Sequence, residues 1–277
     1  MISIIICSGK QEISSGLQKN IEDTIGAPYE IICIDNSKGK YGMCSAYKDG
    51  VRGAKGEFLC FMHEDVVFHS KNWGQMIIDH FKDKSVGVLG VMGGHFIPKT
   101  PTGWWEPGVT SENFICVLPD GSNNKVYIDR YRNDDDGVVA VDGAFMCFPR
   151  HIFKKIYWDA SSFPGFHCYD LDICLQAISY GYKVQIAWDI VLEHRSSGSF
   201  NRQLVQSRRI LFKKWKHLLP IQRGVEMTDD EIYLHSELAR LREFEIEVKN
   251  SFEYKIGRFL LHPIRRIYDL FRKNLSE

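Results

Sequence analysis

The sequence predicts an α/β fold: a doubly wound, mostly parallel sheet with helices on both faces, plus a C-terminal helical extension. Three observations predict it. The apolar runs Ile2 to Cys7, Tyr29 to Ile34 and Phe58 to Met62 are continuous rather than alternating, the pattern of strands buried on both faces. Segments with apolar residues at helical spacing separate them, so the order reads β-α-β-α-β. The second and third runs also stop abruptly in polar residues, Asp35-Asn36-Ser37 and His63-Glu64-Asp65. In open α/β sheets, ligands sit beyond the carboxyl ends of the strands.

The elements follow in order. Ile2 to Cys7 is a β-branched strand, and Ser8-Gly9-Lys10 turns the chain. Ile13, Leu17, Ile21 and Ile25 then have helical spacing. The strand from Tyr29 leads into a glycine-containing loop, Lys38 to Gly42, and a helix through Ala46 and Val51. After Phe58 to Met62 the spacing predicts a helix over Trp73 to Phe81 and a strand over Val86 to Met92. Gly93 to Gly108 reads as a long loop, which in a compact domain is usually functional. Its adjacent Trp104 and Trp105 either stack on a sugar or acceptor or pack into the core. Phe114 to Leu118 and Val126 to Ile128 read as strands around the turn Pro119-Asp120-Gly121-Ser122. Asn133-Asp134-Asp135-Asp136-Gly137 lacks the pattern of a calcium loop and reads as a solvated turn. Val138 to Val141 and Phe145 to Phe148 flank Asp142-Gly143-Ala144. Leu171, Cys174, Leu175 and Ile178 have helical spacing, which puts Asp170 at or near a helix N-cap, where aspartate is favoured for capping alone. Lys183 to Trp188 is a further strand, and Ile190 to Leu192 is a short apolar run ending in Glu193-His194. Gln203 to Leu219 reads as a basic helix. Thr228 to Glu231 is a capping box opening a helix with Leu234, Leu238, Leu241, Phe244 and Val248 on one face. Pro263 breaks the last amphipathic segment in two.

Composition sets bounds. With 277 residues, 44% hydrophobic and 25% charged, the chain is long enough for a sizeable core. It makes one large domain or a domain plus an appendage. Thirty-five basic residues balance 35 acidic ones, so no nucleic-acid partner is expected. The balance is uneven, however. Asn201 to Arg223 holds seven basic residues and no acid, and Lys255 to Lys273 holds six against Asp269. Most of the eight cysteines sit inside apolar runs, and none has the two-residue gap of a zinc or redox pair. They read as reduced core residues in a reducing compartment. Ile2 to Cys7 is too short for a signal peptide, and no apolar run reaches the ~18 residues of a membrane span. Neither a dinucleotide fingerprint nor a Walker-type phosphate loop is present.

The strand ending in His63-Glu64-Asp65 places a histidine and two acids where such a sheet keeps its chemistry, suited to a divalent cation carrying phosphates. The alternative is a strand that ends in solvent. Taken in order, the landmarks resemble a family-2 glycosyltransferase of the GT-A fold, of bacterial surface-glycan type, over roughly residues 1–200. Ser8 ends a strand similar to the family's nucleotide-contacting first strand. Asp35-Asn36-Ser37 resembles its D-[DN]-x-S turn at the base and ribose. Gly42 to Asp65 resembles its helix-glycine-strand approach to the D-x-D metal site, and Asp142-Gly143-Ala144 its acceptor-side glycine turn. Trp158-Asp159 through Tyr169-Asp170-Leu171-Asp172 is similar to its F-D-E…E-D-x-D-L helix start. Glu193-His194 with Ser196 to Ser199 resembles its histidine and small-residue loop. Two positions depart from the pattern: His63 stands for the first aspartate of D-x-D, and Tyr169 for the glutamate of the E-D pair.

The resemblance implies an inverting, metal-assisted transfer from a nucleotide-diphosphate-sugar to a glycan or lipid-linked acceptor hydroxyl, in polysaccharide biosynthesis. It implies a GT-A domain over 1–200 and a basic helical extension over 201–277. Mn²⁺ or Mg²⁺ would be held by Asp65 with His194 or Glu64 assisting. Ser8, Asp35, Asn36, Gly42 and Glu64 would bind the nucleotide, and Trp104, Trp105 and Gly143 the acceptor or sugar. Asp170 is the candidate base, and Asp172 either shares that role or stabilises the helix start. Asp35 is otherwise an Asx-turn residue, and His194 otherwise caps a strand end. The basic C-terminal helices either touch an anionic membrane surface, at the inner face of a cytoplasmic membrane, or pack on the domain or a homodimer partner. The rival readings are a nucleotidyltransferase on a related sheet and a non-catalytic sugar-nucleotide or glycan-binding protein.

Overall fold

The computed structural model describes residues 1–117, 123–128, 137–195 and 200–258. The three expected strands are β1 (Ile2–Ser8), β2 (Tyr29–Asp35) and β3 (Phe58–Met62), with α1 (Ser15–Thr24) and α2 (Met43–Gly53) between them. β1 lies between β2 and β3 and runs parallel to both. Ser14 caps α1 by accepting from the Leu17 backbone N–H.

The chain continues through β4 (Val66–Phe68), α3 (Trp73–His80), β5 (Val86–Gly90), β6 (Met92–Gly94) and β7 (Phe96–Ile97). Next come β8 (Thr110–Val117), β9 (Asn123–Ile128), β10 (Gly137–Val138), β11 (Ala140–Val141) and β12 (Phe145–Pro149). It ends in α4 (Tyr169–Ser179), β13 (Lys183–Ile186), β14 (Leu192–His194), α5 (Arg202–Trp215), β15 (Ile221–Gln222) and α6 (Asp229–Asn250).

The main sheet has seven strands in the order β10-β13-β5-β12-β3-β1-β2. It is mostly parallel; β12 and the edge strand β10 run antiparallel to their neighbours. Every residue of β3, β5 and β12 is buried, so both faces are covered, and the continuous apolar runs follow from that. A second sheet, β11-β6-β8-β14-β4 with β9 beside β8, sits at the carboxyl end of the first. Four crossings of one to three residues join them: residues 63–65 between β3 and β4, Val91 between β5 and β6, Val139 between β10 and β11, and residues 142–144 between β11 and β12.

Three expectations change here. The strand expected over Val86 to Met92 breaks at Val91, where the chain leaves one sheet for the other. The stretch expected as a loop from Gly93 to Gly108 carries β7 and the end of β6, and its His95, Thr102 and Glu106 are buried. Gly93 serves close approach, since a Cβ there would lie 2.1 Å from the Ala140 carbonyl oxygen, whereas Gly108, at φ 76°, turns the chain. The capping box at Thr228 and Glu231 forms, but α6 buries Ala239, Glu243 and Ile246 while Leu234, Leu241 and Phe244 are more than half exposed.

α5, which follows residue 200, packs on the body through buried Leu204, Val205, Leu211 and Trp215. No helix among the described residues is long and apolar enough to cross a membrane. The Pro119 turn, the acid run Asn133 to Asp136, Ser196 to Ser199 and the basic stretch beyond Arg258 lie outside the described residues.

Candidate active site

β14 pairs antiparallel with β4, setting His194 opposite Val66 and so beside the residues that leave β3. His63, Asp65 and His194 thereby form a group whose ligand atoms lie within 4.8 Å of one another. His63 Nδ1 is 3.4 Å from His194 Nε2, which is 3.5 Å from an Asp65 oxygen. Such spacings suit neighbouring ligands of one cation at ~2.1 Å. Burial pushes the His63 pKa down, which favours the neutral imidazole that metals bind. An imidazole ligating through Nδ1 carries its proton on Nε2, which here lies 2.9 Å from the Tyr169 hydroxyl oxygen. Such an outer partner fixes the ring's orientation. Both departures from the expected motif, His63 and Tyr169, therefore sit together.

Glu64 turns away from this group. It accepts from the Ser8 hydroxyl at 2.5 Å and the Gly9 backbone N–H at 3.1 Å, closing the end of β1. Asp35 lies opposite Ser8 in the register and accepts from the Ser37 N–H, so the Asx turn is formed while its carboxylate stays exposed. Asn36 bonds both backbone groups of Tyr41 and shapes the loop. A Cβ on Gly42 would lie 1.9 Å from the Pro164 carbonyl oxygen, and the Met43 N–H donates to Gly165. Ser8, Asp35, Asn36, Gly42 and Glu64 thus gather at the carboxyl edge of β1, β2 and β3.

Beside the histidines opens a cavity of about 320 Å³ whose wall includes His63 and His194. Trp104, Trp105, Phe114, Phe166 and Phe200 supply aromatic surface, and Glu112, Asp142 and Asp170 supply carboxylates. Trp104 is largely packed into the core, whereas Trp105 is partly exposed, with its ring edge-on to Phe200. The core-packing reading thus holds for Trp104, while Trp105 lines the cavity with part of its ring exposed. Gly143 leaves room for a neighbour: a Cβ there would lie 2.0 Å from the Tyr169 hydroxyl.

Asp170 is not the N-cap of α4. That position is Cys168, in the left-handed region at φ 64°, so Asp170 falls in the first turn and lines the cavity. It accepts from the Leu171 N–H at 2.9 Å. Burial first, then the neighbouring Asp142 carboxylate, raise its pKa to about 7. Asp172, two residues on, is buried on another side of the helix. It accepts from Trp215 Nε1 at 2.8 Å, from Gln176 Nε2 at 2.8 Å and from the Lys214 ammonium. It does not line the cavity; it locks α4 to α5, the helix-stabilising one of its two expected roles.

Sequence reasoning missed several lining residues. Glu112, Phe114 and Cys116 occupy alternate positions of β8, the period-two signal of one strand face. Asp142 was passed over for its neighbour Gly143. Arg208 sits in the basic tract, yet it is buried and bridges the carboxylates of Glu106 and Glu243. Only the spacing of α5's buried residues could have set it apart from the exposed cations around it.

A family model described as "Glycosyltransferase like family" matches residues 3–214. No curated protein matches the chain. Among solved structures, GalNAc-T7 with UDP, GalNAc and Mn²⁺ aligns at a TM-score of 0.52 and 13% identity, over 86% of this chain and 54% of that one. The chain thus spans about half the length of that structure. TarS 1-349 from S. aureus aligns at 0.51 and 12% identity, over 92% of this chain and 75% of that one. Likeness at these identities shows a shared fold.

Proposed function

The chain belongs to the glycosyltransferase-like family, and from that premise we propose that it is an inverting, metal-assisted enzyme acting on a nucleotide-diphosphate-sugar. The observation that carries this reading is one cavity holding both the His63–His194 side of the ligand group and Asp170 with its raised pKa.

His63, Asp65 and His194 would hold a divalent cation, and two imidazoles beside one carboxylate favour Mn²⁺ over the harder Mg²⁺. When bound, it supplies positive charge to the departing diphosphate. The nucleoside is received at the edge formed by Ser8, Asp35, Asn36 and Glu64. The acceptor hydroxyl oxygen attacks the anomeric carbon, the bond to the diphosphate breaks, and the hydroxyl proton passes to Asp170. A base with a pKa near the working pH suits that task. Direct displacement by one acceptor oxygen inverts the anomeric centre. Aromatic faces around the cavity suit the C–H faces of sugar rings and shield the reaction from water.

A thermal-shift panel of nucleoside diphosphates with and without Mn²⁺ tests this, the UDP series first because a neighbouring structure holds UDP. One series should stabilise the chain in a manganese-dependent way, by about 2.7 kcal/mol at a hundredfold excess over Kd. Asp65→Ala should lose the manganese-dependent part and keep its fold. Equal affinity in that variant removes the metal role, and no shift with any nucleotide removes the donor reading.

A further inference from the structure

The cavity holds two carboxylates that this reaction does not use. Glu112 projects from β8 on the face shared with Phe114 and Cys116. β8 runs parallel to β14 with Cys116 opposite His194. Glu112 therefore lies four residues back along the strand, about 13 Å from the level of the histidines. Asp142 lines the same cavity as Glu112 and Asp170. Its backbone N–H donates to Met92, the register partner of Glu112, and its charge is felt by both carboxylates. The three acids belong to the wall of one cavity.

No lysine or arginine pairs with Glu112 or Asp142 among the described residues. Burial raises the Glu112 pKa, and its hydrogen-bond partner is the Thr110 hydroxyl. Asp142 accepts from the Ala144 N–H. The guanidinium in the cavity wall, Arg208, is already bound by Glu106 and Glu243. Carboxylates held this way by strands can accept hydrogen bonds from pairs of sugar hydroxyls, while the surrounding rings take the apolar sugar face. A uronate or phosphate group here would face like charges in a place shielded from water, where repulsion is strong.

We propose that this wall is the acceptor subsite, that Glu112 anchors the acceptor through its hydroxyls, and that the acceptor is a sugar unit carrying no acidic group. The inference rests on the glycosyltransferase reading above and adds the chemical class of the acceptor. Within it, Glu112 determines specificity and Asp170 remains the catalytic residue.

The test is saturation-transfer NMR on the full chain with Mn²⁺ and the nucleoside diphosphate that binds best. The probes are the methyl glycosides of glucose, galactose, mannose and N-acetylglucosamine, with methyl glucuronoside and methyl galacturonoside as acidic counterparts. At least one neutral glycoside should bind, about tenfold or more tightly than its acidic counterpart, as expected from like-charge exclusion. Glu112→Gln keeps the shape and removes the charge. It should bind the nucleoside diphosphate as the wild type does and cut the neutral-over-acidic preference to less than about threefold. The inference is overturned if the nucleotide binds but no neutral glycoside does. It is equally overturned if acidic glycosides bind as well as neutral ones, or if the preference survives Glu112→Gln. Failure of every nucleoside diphosphate to bind would bring down the parent reading, and this inference with it.

Discussion

Asp170→Asn should make the protein more stable at pH 8 while disabling it. The Asp170 carboxyl rises from an ordinary 3.8 to about 7 in the folded chain, a difference worth about 4 kcal/mol against ionisation. Partial exposure and relaxation reduce this, and about 2–4 kcal/mol is a fair range. The sign follows from proton counting. Between those two values the native carboxyl holds a proton that the unfolded chain has released. Native stability therefore falls as pH rises through this window and levels off above about pH 7. Asparagine stays neutral in both states and can still accept from the Leu171 N–H, as Asp170 does. Its advantage should be small at low pH and grow by about 1–3 kcal/mol between pH 5 and pH 8. For a chain of this size that growth corresponds to a melting-temperature gain of about 2–12 °C. Urea and thermal unfolding of both proteins in metal-free buffer at the two pH values measure it. The same variant should transfer sugar about 10²–10⁴-fold more slowly, the usual worth of a general base. An advantage that is absent, or flat from pH 5 to pH 8, would refute the reasoning about the buried carboxyl.

Two further substitutions probe the frame around the site. Arg208→Met leaves Glu106 and Glu243 buried without their shared cation; it should cost about 3–5 kcal/mol in urea unfolding, most of which returns when both glutamates are also changed to glutamine. Gly143→Ala places a methyl group 2.0 Å from the present Tyr169 hydroxyl position, so that ring must leave His63; Mn²⁺ affinity by calorimetry should fall about 10–100-fold, and an unchanged affinity would show that Tyr169 does not orient the histidine.

The parallel core was legible because burial on both faces leaves a direct mark, unbroken apolar runs such as Phe58 to Met62. The second sheet was less so. Its β6 and β11 are two or three residues long, below what periodicity can resolve, and Gly93-Gly94 looks like a turn to any rule based on composition. Asp170 was found through its place in an ordered series of landmarks. It lies near the N-cap as its spacing implied, but the cap itself, Cys168 in a left-handed turn, has no residue-type signature. Asp172 shares its neighbour's chemistry and differs only in which side of α4 it occupies, a matter settled by Lys214 and Trp215 some forty residues away. Arg208 shows the same limit: a cation in a basic tract is read as solvated until Glu106 and Glu243, far off in sequence, are seen around it.

The short crossings between the sheets have a consequence for how such a scaffold can diversify. Residues 63–65, Val91, Val139 and residues 142–144 are links of one to three residues, too short to let the two sheets part like the leaves of a book. The spacing between the histidine group and the cavity carboxylates is thereby built into the chassis. Accommodation of a different sugar has to come from parts fastened to it from outside: the tryptophan segment, the Phe163–Phe166 stretch, and α5 with α6. Exchange of these cassettes can change what the cavity admits without disturbing the distances at which the chemistry is set.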